Sequence, residues 1–164
     1  MSQERYWKEM YQLKVHINYL ETFILEAENI DRLIKIFSAI ASSASIGAWV
    51  IWQDYSFVWA TIIAVSQVVS AVKPYLPFQD RRNKYSALLH DFEDLFIRME
   101  AQWFEIASGK LDAGEINNAR TKIRLQKQKL LKKYLPTSIV PDSPEKLVKA
   151  EGISQDYFSN FYGD

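Results

Sequence analysis

Few side chains in this sequence can serve as nucleophile, acid, base or metal ligand. It has no cysteine and only two histidines, His16 and His90. A disulfide framework, a thiolate metal site and a thiolate nucleophile are therefore excluded. An Arg/His pair of the kind used by small helical ribonucleases would need Arg82 and His90 within a few residues, but they stand eight positions apart and no second histidine assists. His90 is better read as a residue at the edge of a helical seam. Asp91, Glu93 and Asp94 alternate with large apolar residues, as charges on a solvated helix face do. No His/Asp/Glu set has metal-ligand spacing, and the five scattered glycines make no phosphate-cradling loop. Neither an enzyme nor a bound cofactor or metal is expected.

A second group of polar residues is more informative because it lies inside apolar sequence. Ser38, Ser42 and Ser45 fall on one helical face at i, i+4 and i+7. Ala39, Ser43 and Gly47 form an adjacent small-residue stripe, as do Ala44 and Ala48. Such spacing lets membrane helices approach closely and lets serine hydroxyls bond across the contact. Further on, Gln67, Ser70 and Lys73 share another face, and a glutamine in lipid demands a partner or water. Two readings stay open for these residues: hairpin packing within one chain, or the lining of a polar path in an oligomer.

The segments that carry them stand out by charge. The 164-residue chain has 20 Lys+Arg and 20 Asp+Glu, so it carries no net charge and nucleic acid is not an expected partner. Its 48% hydrophobic content excludes a mostly disordered chain. Ile36–Gln53 and Tyr55–Val72 contain no charged residue, and Asp54 alone separates them. As helices, stretches of 18 residues span about 27 Å, just enough for a thin hydrocarbon core. Trp49, Trp52, Tyr55, Phe57 and Trp59 cluster about the Gln53–Ser56 turn like an interfacial aromatic belt. Arg32 and Lys35 precede the first span, Lys73, Arg81, Arg82 and Lys84 follow the second, and the turn has no Lys or Arg. The positive-inside rule then places both termini in the cytoplasm. With no cleavable-signal pattern at the start, Met1–Ile34 is expected to stay in the mature chain. The competing arrangement is a soluble bundle that buries the hairpin as its core.

Long amphipathic helices are expected on either side. Tyr6, Met10, Leu13, Ile17, Leu20, Ile24 and Ala27 form a heptad seam over a helix from Gln3 to Asn29. Pro74 and Pro77 break the chain after the second span. A second seam follows through Tyr85, Leu88, Phe92, Leu95, Met99, Gln102 and Ile106, widened by Leu89, Phe96, Trp103 and Phe104. These seams could join helices of one chain or of several copies. Gly109 is a C-cap signal, and Asp112 with Glu115 is a capping box that opens a helix from Ala113 to Tyr134. That helix carries Lys122, Arg124, Lys127, Lys129, Lys132 and Lys133, either a solvated face or a patch for anionic headgroups or a phosphate-bearing partner. Leu135–Ser143 reads as a proline-broken linker, and Pro144–Glu151 as a short helix. The aromatic, acidic end is either a docking segment or an element that folds back on the bundle. The expected architecture is all-α, with an amphipathic helix (1–34), a transmembrane hairpin (35–78, spans 36–53 and 55–73), a cytoplasmic helical pair (79–135) and a linker with tail (136–164).

The layout resembles a known family. A heptad helix leads into KIFSAIASSASIGAWVIW, a second span ends at SAVKPYLPF, and YSALLHDFEDLFIRMEAQW is followed by a glycine break and a further helix. From Tyr6 to Tyr134 this is similar to the SLATT family, two-transmembrane effector domains of bacterial nucleotide-signalling and anti-phage defence systems. The resemblance implies an oligomer in the inner membrane that forms a pore or disrupts the bilayer, triggered by a separate partner protein. A membrane scaffold that recruits a soluble defence enzyme through its bundle and tail is the alternative.

Overall fold

The computed structural model describes residues 2–51, 56–72, 78–136 and 140–163; side chains at 41–51, 56, 59 and 78–81 lie outside the description. Five helices follow in order among the described residues: α1 (Ser2–Ile51), α2 (Ser56–Val72), α3 (Phe78–Ala107), α4 (Ala113–Tyr134) and α5 (Pro144–Tyr162). No strand occurs among these residues, so the all-α expectation holds. The expected turn at Gln53–Ser56 and the Lys73–Pro77 break lie largely outside the described residues.

The amphipathic helix and the first charge-free stretch are one continuous helix. α1 runs on for 50 residues, because nothing between Gln3 and Gly47 breaks a helix and no capping signal interrupts it. The last helix is also longer than the expected Pro144–Glu151. Pro144 starts it at a position where its missing N–H costs nothing, and it continues to Tyr162 despite Gly152.

Contacts divide the chain into two compact units, Met1–Ile24 with Asn83–Asp164, and Leu25–Arg82. The first has a closed core. Met10, Leu13, Ile17 and Leu20 of α1 and Leu88, Phe92, Leu95 and Met99 of α3 are all buried in one cluster, joined by Ile116 and Ile123 of α4 and Phe158 of α5. Ile24 packs against its edge. The two heptad seams therefore meet each other within one chain. Phe104 does not widen the seam as expected: it stands 69% exposed. His90 is likewise exposed, beside Glu93 at 3.2 Å.

Polar bonds fix the register of this packing. Tyr6 Oη donates to the Met99 carbonyl at 3.2 Å, and Gln3 Nε2 to the Ile106 carbonyl at 3.1 Å. Asn18 Nδ2 donates to Ser154 Oγ at 2.8 Å, and Ser154 Oγ in turn donates to the Ala150 carbonyl at 2.7 Å. Both residues are buried, where an unmade bond would be costly. The α3–α4 corner follows its sequence signals. Gly109 takes φ 71°, a left-handed conformation that a glycine adopts freely. The Gly109 and Lys110 N–H groups donate to the Ile106 and Glu105 carbonyls, a Schellman closure. Asp112 and Glu115 then form the expected reciprocal capping box, at 2.8 and 2.9 Å.

The aromatic tail folds back on this unit. Phe158 is buried, with ring centroids 4.9 Å from Trp7 and 5.4 Å from Tyr11. Tyr157 and Tyr162 both donate to Glu100 Oε1, at 2.6 and 2.9 Å. Burial first, and this carboxylate second, push the Tyr157 phenol up to about 12.

Candidate functional site

The unit Leu25–Arg82 holds the serine, small-residue and glutamine stripes singled out in the sequence. Here α1 keeps its helical form but its large apolar side chains are uncovered: Leu33 is 66% exposed, and Leu25 and Ile36 are exposed too. On α2 the pattern is stronger. Phe57 is 83% and Val68 61% exposed, with Val58, Ile63, Val65 and Val72 also open. α2 carries no charged residue at all. The last ion pair on α1 before the charge-free stretch is Lys35 with Asp31, at 2.7 Å.

Three of the described hydroxyl groups in this unit bond back to their own helices. Ser38 Oγ donates to the Ile34 carbonyl at 2.7 Å, Thr61 Oγ1 to Phe57 at 2.9 Å and Ser66 Oγ to Ile63 at 2.8 Å. Such back-bonding satisfies the hydroxyl proton within its own helix. Gln67, Ser70 and Ala39 are exposed. Ser42, Ser43, Ala44, Ser45, Gly47 and Ala48 lie within α1, but their side chains are outside the description, as is Lys73 altogether. Among the described residues no helix is long and apolar enough to cross a membrane. The 17 residues of α2 extend about 26 Å, against roughly 30 Å for a typical hydrocarbon core.

The basic residues of α4 belong to the first unit and divide into groups. Lys122, Lys129 and Lys132 are exposed. Lys133 Nζ lies 3.4 Å from Asp91 Oδ2, and Tyr134 Oη donates to the same oxygen at 2.7 Å. That Tyr134 bond, more than any other contact, holds the Asp91 carboxyl below its ordinary range. Arg124 Nε stands 3.9 Å from Glu9. Lys127 Nζ sits 3.4 Å from His16 Nδ1. Burial pushes the Lys127 ammonium below the ordinary lysine value, with Glu9 opposing and Arg124 adding to the shift. His16 is lowered for related reasons, first desolvation and then the Lys127 charge.

Sequence reasoning missed His16, Glu9 and Asp91 as partners of the basic helix. His16 and Lys127 are 111 positions apart, and no local pattern signals their meeting. It also missed Glu100 as the anchor of the tail. Among the described residues no three His, Asp or Glu side chains gather where they could hold a metal ion.

Comparison of the chain with known protein families, with curated proteins and with solved structures finds no match in any of the three.

Proposed function

We propose that this chain is a non-enzymatic membrane effector. Its Leu25–Arg82 unit inserts into a bilayer and assembles with copies of itself, and the first unit forms the folded body that faces water. The observation that carries this reading is the uncovered apolar surface of α2 and of α1 beyond Leu25. Covering a side chain such as Phe57 or Val68 is worth about 1.5–3 kcal/mol, so several together strongly favour an apolar medium. The back-bonded hydroxyls of Ser38, Thr61 and Ser66 lower the cost of placing that surface in lipid. The charge-free length is slightly short for a typical bilayer, and local thinning accommodates such a mismatch at a fraction of a kcal/mol per Å.

Exposed Gln67 and Ser70 support assembly, because a polar side chain in hydrocarbon gains by meeting another helix or a wet path. The resemblance to the SLATT family extends the reading to a pore or a disruption of the bacterial inner membrane, both termini cytoplasmic, released by a separate partner in anti-phage defence.

The test is expression of the full chain in bacteria with a membrane-potential dye, beside alkaline carbonate extraction of the membranes. The expected result is a carbonate-resistant protein that depolarises the cells, with Ser42→Leu and Gln67→Leu reducing leakage but not insertion. Recovery in the soluble fraction would overturn insertion. Stable residence with an undisturbed potential, in the presence of its trigger, would replace the pore with the scaffold.

A further inference from the structure

The first unit contains a feature that insertion does not use. An open groove of about 1140 Å³ runs beside α1 from Trp7 to Leu20. At 1.5 Å per residue that stretch is about 20 Å long. Leu88 and Phe92 of α3 and Leu131 of α4 line it, and Val140 and Leu147 close the far wall. It exceeds the roughly 300–1,000 Å³ of pockets for compact small molecules and suits an elongated apolar occupant.

Its two edges differ in charge. Asp142 and Glu151 stand on the side of α5. On the other side His16 lines the groove and touches Lys127. Gln12 and Leu131 are shared with a neighbouring cavity of about 570 Å³ that Lys127, Arg124 and Glu9 also line. The chemistry at this rim is incomplete. His16 Nδ1 faces the Gln12 carbonyl, which can only accept, so Nδ1 carries the proton. In that tautomer the 3.4 Å approach of Lys127 Nζ to the same nitrogen is donor to donor. Against two cations the rim has one carboxylate, Glu9, at 3.9 Å from Arg124. An anionic oxygen at this point would receive hydrogen bonds that the ring N–H cannot accept. The Asp142 and Glu151 side repels the same anion.

We propose that the groove binds a single-chain anionic amphiphile, a fatty acid or a lysophospholipid. The acyl chain lies along the apolar floor, and its carboxylate or phosphate meets Lys127 and Arg124. The site lies wholly within the first unit, so it stands or falls independently of membrane insertion.

The experiment is photolabelling of the full chain, in whichever fraction it is recovered, with diazirine-tagged palmitate and, in a parallel arm, diazirine-tagged lysophosphatidylglycerol. Labelled peptides are mapped by mass spectrometry, and helical circular dichroism verifies folding of each variant. Labels are expected on the peptides that contain residues 7–20 and 131–147. Lys127→Gln should lower that labelling several-fold by loss of the head contact, and Leu147→Trp should do so by filling the groove. Lys149→Gln, on the exposed side of α5, should leave it unchanged. The arm that labels more strongly identifies carboxylate or phosphate as the preferred head. Labels confined to residues 25–82 would overturn the proposal. So would groove labelling that neither Lys127→Gln nor Leu147→Trp reduces, and so would an unlabelled groove, the result if a second copy or a partner's helix fills it.

Discussion

Leu13 and Leu33 are the same residue on the same helix, yet Leu13 is 1% exposed and Leu33 66%. The helix is continuous between them, so backbone conformation does not make the difference. In the first unit α3, α4 and α5 supply partners, and Leu13 is buried in one core with Met10 and Leu95. In the second unit the apolar surface of α1 and α2 is larger than the unit itself covers. The two units solve the same problem in different ways: one excludes water with its own side chains, and the other is left to whatever medium or neighbour surrounds it. All six basic residues of the α4 patch lie in the first unit, and the two charge-free stretches lie in the second.

This contrast can be broken most directly with one substitution made twice. Leu13→Ala should destabilise the first unit by about 2–5 kcal/mol, as cavity-forming changes in closed cores do. Leu33→Ala should alter its stability by less than about 0.5 kcal/mol. Denaturant unfolding followed by tryptophan fluorescence measures both, and equal losses would erase the distinction between the units.

The next effect concerns the medium around α2. Val65→Lys places a charge near the middle of that helix, which costs about 2.5–3.5 kcal/mol in a bilayer centre. The carbonate-resistant fraction should fall sharply while the first unit keeps its stability. An unchanged fraction would mean that α2 does not sit in lipid.

Polar bonds within the closed unit come next. Ser154→Ala removes the acceptor from buried Asn18 Nδ2, an expected loss of about 1–3 kcal/mol. Asp112→Ala deletes the cap of α4 and should cost about 1 kcal/mol. Since neither residue belongs to Leu25–Arg82, carbonate extraction should be the same for both variants.

The smallest effect is a pH dependence. His16 is held below the ordinary histidine value in the folded chain. The unfolded chain then binds more protons as pH falls through about 6.5, so this contribution to stability is present above that pH and lost below it. The Tm should drop from about pH 8 to about pH 5.5, and His16→Gln should flatten part of the slope.

Much of the first unit was legible in advance. Heptad spacing named the core residues of α1 and α3, Gly109 named a helix end, and Asp112 with Glu115 named a helix start. Each of these rests on short-range periodicity or on a local hydrogen bond. That the amphipathic stretch and the charge-free stretch form one helix was not stated by the spacing, since apolar composition changes near Ile36 while helical backbone has no reason to stop there. The fate of the aromatic tail was not legible either. Phe158, Tyr157 and Tyr162 needed Trp7 and Glu100, residues far away in the chain, to tell a docking arm from a packed helix.

By itself the sequence determined an all-helical chain, its main breaks, its two apolar seams and the absence of charge from 36–53 and 55–72. These follow from residue types a few positions apart, which a helix brings onto one face. Only tertiary structure decided that the seams close on each other within one chain, that α5 covers Trp7, and that His16 meets Lys127 beside an open groove. Those outcomes depend on which distant surfaces come together to exclude water and satisfy buried polar groups, and sequence spacing holds no record of that choice.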